Sequence, residues 1–278
     1  MKTILLIICF AFFNYTGMGK EMNFTGSTPA ATVIRSFLGI PLTDSIDFIR
    51  WKLTFKNNNY TIQCNYGIGK PNTPGFINGG EKITLSNTWS MDKNIFLLKN
   101  GNKMLKIVRI NDFLIHFLNT DNSLLVGNGG WSYTLNNMHV QLSKDATMKA
   151  HAATIKDSVA FEGRTPCGVP GIIPPGKLCY KLKWFVVLYA NEQQNETGTY
   201  RLYGTPYRKE GGRRGIWKMT TDADGRTGYT LYNENEEAFI YLLKLDEKIL
   251  VFTDAAGNLL VGDEDFSYTL NRISGKGY

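Results

Sequence analysis

The chain has 278 residues, 43% of them hydrophobic, enough to bury two separate cores. Aromatic residues at 13% and 28 glycines favour short strands and tight turns over helix bundles. The formal charge of +7 is modest for this length and scattered, which argues against a nucleic-acid partner.

Taken in chain order, the first element is an export signal. Met1-Lys2 opens with positive charge, an apolar run follows to Phe13, and Gly17 and Gly19 suit the small positions of a cleavage site. The run is too short to span a membrane, so residues 1–19 are expected to be removed and the mature chain to begin at Lys20. Cys9 follows Ile8, where lipoprotein processing needs a small residue, so no lipid anchor is expected. Next, Ala30 to Leu38 has the spacing of one short helix, stopped by Gly39 and Pro41. Tyr60, Ile62, Cys64 and Tyr66 then share one face of a strand at period two. Residues 144–157 are polar and Ala-rich and read as a linker. Trp184 to Tyr189 reads as a strand, Ala190 to Gly198 as a turn, and Thr199 to Tyr203 as the returning strand. Lys248 to Phe252 and Asn258 to Val261 form a hairpin across Asp254 to Gly257, and a last strand is expected from Phe266 to Leu270.

The decisive pattern is a duplication. Leu124-Leu-Val-Gly-Asn-Gly-Gly-Trp-Ser-Tyr-Thr-Leu-Asn136 returns as Leu259-Leu-Val-Gly-Asp-Glu-Asp-Phe-Ser-Tyr-Thr-Leu-Asn271, nine of thirteen residues identical at an offset of 135. Phe117 and Phe252 keep that offset, Trp51 matches Trp184, Trp89 matches Trp217, and Phe24 to Pro29 matches Phe161 to Pro166. Residues 20–143 and 158–278 are therefore two copies of one domain. Six to eight short antiparallel strands per copy predict an all-β protein, two tandem small β-barrels or sandwiches. Tyr133 and Leu135 alternate in period two, as do Tyr268 and Leu270, and that face is expected to be buried. Trp131 and Phe266 are expected to turn a large side chain into the core as the last strand begins.

Little in the chain carries chemistry. Cys167 and Cys179 align with Ala30 and Ile46, so the second copy has both and the first neither. In an oxidising compartment this predicts a disulfide closing the Pro-rich loop between them, contributing ~3 kcal/mol; a metal-binding pair and two free thiols are the alternatives. Cys64 lies on an apolar strand face and reads as a buried small hydrophobe. His116, His139 and His151 have no ligand spacing, and the second copy has no histidine, so neither a zinc site nor a nucleophile–histidine site shared by both copies is expected. Asp222 to Gly225 starts like a calcium loop but lacks the later ligands and reads as a β-turn. Asp263-Glu-Asp265 replaces Asn128-Gly-Gly130, an exchange a turn tolerates and a shared carboxylate pair does not. Tyr207 to Lys218, the densest basic stretch, reads as a solvated Gly-rich hairpin end or, alternatively, an anion groove.

Phe161-Glu-Gly-Arg-Thr-Pro-Cys-Gly-Val-Pro-Gly-Ile172 resembles the start of the N-terminal domain of the NlpE-like copper-resistance and envelope-stress lipoproteins. The resemblance covers about 161 to 272 and, more weakly, the first copy, and implies a lipocalin-like barrel. The family's Cys-x-x-Cys keeps only Cys167, with Gly168 and Val169 where the second would be, and the lipobox is missing. Copper binding and anchoring are therefore not carried over. The chain also resembles uncharacterised two-domain exported proteins of Gram-negative bacteria.

These readings predict an exported, non-enzymatic binding or interaction protein in the periplasm, on the outer surface or in the medium. Its partner would be an envelope protein or small ligand, with no nucleic acid, membrane span, metal or cofactor. A copper- or stress-responsive envelope sensor and a hydrolase with a site private to one copy are the alternatives.

Overall fold

The structure, a computed structural model, describes residues 21–138, 142–143, 155, 157–191, 194–222 and 225–273. The signal at 1–19, His139, His151 and most of the linker at 144–157 lie outside the described residues.

The first copy runs through β1 (Met22–Thr28), α1 (Thr32–Leu38), β2 (Phe48–Lys56), β3 (Asn59–Gly67), β4 (Glu81–Asp92), β5 (Ile95–Asn100), β6 (Lys103–Arg109), β7 (Leu114–Phe117) and β8 (Thr134–Asn136). Each strand pairs antiparallel with the next and β8 pairs back on β1, so the sheet closes into an eight-stranded barrel. A short strand, β9 (Leu142–Ser143), follows. The second copy repeats the order with β10 (Ser158–Thr165), β11 (Leu182–Asn191), β12 (Gln194–Gly204), β13 (Arg213–Thr221), β14 (Thr227–Tyr232), β15 (Ala238–Lys244), β16 (Ile249–Thr253), β17 (Leu259–Leu260) and β18 (Thr269–Arg272). Here β15 pairs with β16, β16 with β18 and β18 with β10, which closes the second eight-stranded barrel. The fold is two tandem barrels. β9 pairs with β17, so the tail of the first copy joins the second copy's sheet.

Period two decides which side chains fill each barrel. Trp51, Leu53 and Phe55 of β2 and Tyr60, Ile62 and Cys64 of β3 are buried, while Lys52 and Lys56 face out. Tyr133, Leu135, Tyr268 and Leu270 are buried in their respective cores, as their alternation predicts. The matched tryptophans sit alike. Trp51 Nε1 donates to Thr28 Oγ1 at 2.9 Å, and Trp184 Nε1 donates to Thr165 Oγ1 at 2.8 Å. Each ring lies against the matched phenylalanine, Phe117 at 4.8 Å and Phe252 at 5.0 Å between centroids. Sequence similarity outside the identical segment thus marks equivalent core positions.

Several element ends differ from the sequence expectation by one or two residues, and two differ by more. β11 continues to Asn191 and β12 resumes at Gln194, because the polar residues there extend the ladder past a register shift at Ala190/Asn191 instead of leaving it. The last strand begins at Thr269, not Phe266. Asp263 Oδ1 accepts from the backbone N–H of Asp265 (2.9 Å) and Phe266 (2.8 Å), which holds a turn open to that point.

Between the barrels lies a third apolar cluster, built from matched positions. Val108, Ile110, Leu114 and Leu124 of the first copy pack with Leu243, Leu245, Ile249 and Leu259, each 135 residues on. Polar contacts repeat the relation. Ser132 Oγ meets Ser267 Oγ at 2.6 Å and Thr269 Oγ1 donates to Thr134 Oγ1 at 3.1 Å, both pairs 135 apart. Gly127 N donates to Asn271 Oδ1 at 2.7 Å, and reciprocally Gly262 N donates to Asn136 Oδ1 at 2.9 Å. A residue meeting its own equivalent, and i meeting j while j meets i, define an isologous interface around a pseudo-two-fold axis. The Gly127 and Gly262 pair has a steric reason too. A Cβ at either would lie 2.2 Å from the carbonyl oxygen of Trp131 or Phe266 and about 3 Å from the asparagine opposite.

Candidate functional site

The residues singled out by sequence fall mostly into structural roles. Cys167 and Cys179 form a disulfide with Cα atoms 6.0 Å apart. Cys64 is buried, and burial pushes its thiol pKa well up. His116 is buried on the face of β7 opposite the core residues Ile115 and Phe117, with Nε2 donating to the Leu125 carbonyl at 2.8 Å. Asp222 accepts from the backbone N–H of Arg226 at 2.9 Å and its carbonyl accepts from Gly225 N at 3.0 Å, closing a turn. In the basic stretch, Arg213 lies over the rings of Tyr207 (5.0 Å) and Phe239 (5.2 Å), so its charge is packed on aromatic faces. Among the described residues no three His, Cys, Asp or Glu side chains converge as a metal site, and no helix is long and apolar enough to cross a membrane.

One expectation is overturned. Trp131 does not enter the barrel core. It leaves the turn capped by Asn128, whose Oδ1 accepts from Gly130 N and Trp131 N at 3.1 Å, and stacks on Phe48 at 4.5 Å between centroids. Phe48 in turn stacks on Phe76 at 4.2 Å. Its counterpart Phe266 packs edge-on to Tyr180 at 6.3 Å, also outside the core cluster. The cause is the turn: it delays the last strand and points the aromatic at the seam between the copies.

These side chains wall a cleft of about 190 Å³ on the pseudo-two-fold axis. Both members of three matched pairs line it: Asp47 and Tyr180, Phe48 and Lys181, Trp131 and Phe266. The two sides have diverged. Each copy lines the cleft with two aromatics and two cations, Phe48, Trp131, Arg50 and Lys70 from the first and Tyr180, Phe266, Arg164 and Lys181 from the second, but, Trp131 and Phe266 apart, from different positions. Arg164 lies 5.5 Å from the centre of the Trp131 ring and Lys181 5.4 Å from that of Phe266. Arg164 stands where the first copy has Ser27.

Charge inside the cleft is unevenly paired. Arg50 forms an ion pair with Asp265, which also accepts from the Tyr180 hydroxyl at 3.3 Å. Asp47 accepts from Gly69 N at 2.7 Å. Among the described residues no carboxylate lies within salt-bridge distance of Arg164 or Lys181. Burial lowers the Lys181 pKa first, and the neighbouring charges of Arg164 and Lys183 lower it further, with Asp265 opposing them. Glu162 feels Arg164 from beyond ion-pair range, and burial raises its pKa. Four cations, Arg50, Lys70, Arg164 and Lys181, and two carboxylates, Asp47 and Asp265, thus surround the aromatic side chains, and Arg164 and Lys181 repel each other. Of this cleft the sequence analysis named Trp131, Phe266 and Asp265 without seeing that they meet; Arg164, Lys181 and Phe48 gave no signal, because their chemistry appears only when the copies face each other. No family model, curated protein or solved structure matches this chain.

Proposed function

We propose that the chain is an exported, non-enzymatic binding protein whose ligand or partner enters the cleft between its two barrels. The observation that carries this reading is the divergence of the copies on the axis. Their strand order, tryptophan contacts and interface residues are alike, whereas matched positions at the cleft carry different chemistry, Asp47 against Tyr180, Phe48 against Lys181, and Arg164 where the first copy has Ser27. A symmetric seam has become an asymmetric pocket, and clefts at the junction of two domains are preferred places for ligands to be held. The disulfide supports an oxidising, exported location, and the NlpE-like resemblance of residues 161 to 272 supports the cell envelope of a Gram-negative bacterium.

The test is native mass spectrometry of the mature protein isolated from its own envelope, wild type beside Trp131→Ala. The expected result is a bound species on the wild type that is depleted in the variant. Equal occupancy in both proteins would remove the cleft from the function.

A further inference from the structure

We infer that the cleft takes an anionic group, a carboxylate, phosphate or sulfate, borne on a flat or apolar body. This rests on the cleft being the binding site. Arg164 and Lys181 receive the charge, and Trp131, backed by the buried Phe48, receives the body.

Three observations carry it. First, both cations lie over aromatic faces with no carboxylate of the described residues in ion-pair range, Glu162 and Asp265 acting on them only from farther off, so both keep donors for an incoming anion. Second, burial, and after it the charges of Arg164 and Lys183, penalise the charged form of Lys181, and an anion between Arg164 and Lys181 relieves that cost. Third, of the two carboxylates that line the cleft, Asp47 is held by Gly69 N while Asp265 is received by the Arg50 guanidinium and the Tyr180 hydroxyl, so the cleft already binds one carboxylate in this way. The neighbouring pair Arg164 and Lys181 offers equivalent chemistry without an internal occupant. The volume of 190 Å³ sets the size. Drug-sized ligands fill ~300–1,000 Å³, so the cleft admits a headgroup or one ring with its acid, and any larger ligand would project out of it.

The experiment is a titration of the full mature chain with phenyl phosphate, benzoate, inorganic phosphate and benzyl alcohol, followed by the indole N–H resonances of the five tryptophans. Trp131 is assigned from Trp131→Phe. The aromatic anions are expected to shift Trp131 while leaving Trp51 and Trp184, both in the barrel cores, unmoved. Benzyl alcohol should bind at least tenfold more weakly, and added salt should weaken the anions. The relative affinities of phenyl phosphate and benzoate distinguish a phosphate source from a carboxylate one. Arg164→Ser and Lys181→Phe each install the residue that the first copy carries at the matched position, so the barrel accommodates them; each should weaken phenyl phosphate at least tenfold. If benzyl alcohol binds as tightly as the anions and neither variant matters, the inference fails while the cleft remains a binding site. If no probe moves Trp131, both the inference and the reading beneath it fall.

Discussion

His116 occupies the position that Val251 holds in the second repeat, and its hydrogen bonds leave it no room for a second proton. The Leu125 carbonyl can only accept, so Nε2 carries the hydrogen and Nδ1 accepts from the Thr134 hydroxyl at 2.9 Å, a tautomer assigned from this network. Thr134 in turn accepts from Thr269 of the other barrel. Burial lowers the His116 pKa from 6.5 to about 4, with the Leu125 hydrogen bond opposing the shift. Between those values the unfolded chain holds a proton that the folded chain lacks. The stability is fully present above pH 6.5 and is lost as pH falls toward 4, by ~3 kcal/mol in all. Urea unfolding at pH 7, 5.5 and 4.5 should show this loss in the wild type. His116→Val should flatten that limb, because the carboxylates that titrate there are common to both proteins, while costing ~1–3 kcal/mol at pH 7 through the unpaired Leu125 carbonyl and Thr134 hydroxyl. An unchanged acid limb would show that His116 is protonated as easily folded as unfolded. Residues whose role is set by their own strand were legible in sequence: Cys64, Tyr133 and Tyr268 follow from alternation alone. Trp131 was misread because alternation cannot say where a turn ends, and His116 gained its role from Thr134 on the paired strand β8 and from the Leu125 carbonyl.

The segment entering each barrel is the element on which the copies differ most. In the first, α1 lays Ile34, Phe37 and Leu38 into the core, and it ends where Gly39 adopts φ 77° and Ile40 N donates back to the Arg35 carbonyl at 2.9 Å. In the second, the disulfide ties the loop, and Val169, Ile172 and Ile173 pack beneath it. One contact is common to both. Gly168 N donates to Tyr268 Oη at 3.0 Å, and in the matched place burial raises the Tyr133 pKa while the Ala31 backbone lowers it by less. The helix was legible from its apolar spacing and its Gly39 stop, and the disulfide from two cysteines present in one copy and absent together in the other. Reduction should cost the second copy ~3 kcal/mol. Because the barrels share an apolar cluster, that loss need not appear as a separate unfolding transition; it should appear locally, as faster amide exchange over residues 166–180 with little change over 30–40. Phe37→Ala, by contrast, should cost ~3–5 kcal/mol without any reducing agent. Slow exchange of the reduced 166–180 segment would mean that its apolar contacts and Tyr268 hold it unaided.

At the scale of the whole molecule, the segment most alike between the repeats is the one through which they meet. Leu124 to Asn136 and Leu259 to Asn271 each send Tyr and Leu into their own barrel and Ser, Thr and Asn against the other, so both faces of the last strand are buried. An alternating strand ordinarily turns its polar face to water, and the sequence read that way gives the barrels but not their docking. What could have revealed it is that Ser132, Thr134 and Asn136 are retained identically in both copies, although a solvated face has no need of identity. The axis makes a strong geometric claim, since Ser132 Oγ and Ser267 Oγ approach to 2.6 Å across a separation of 135 residues. Ser132→Cys combined with Ser267→Cys should therefore oxidise spontaneously in the exported protein. Mass analysis should show two further hydrogens lost beyond the Cys167–Cys179 bridge, and non-reducing electrophoresis a faster band. Closing so long a loop should add ~4–5 kcal/mol of stability, less whatever strain the bridge imposes. A single-cysteine variant should stay monomeric, because its thiol faces the other barrel and is hidden from a second molecule. If both introduced thiols instead react freely with an alkylating reagent while the protein is folded, the two copies do not face each other across this axis, and the cleft built on it dissolves with it.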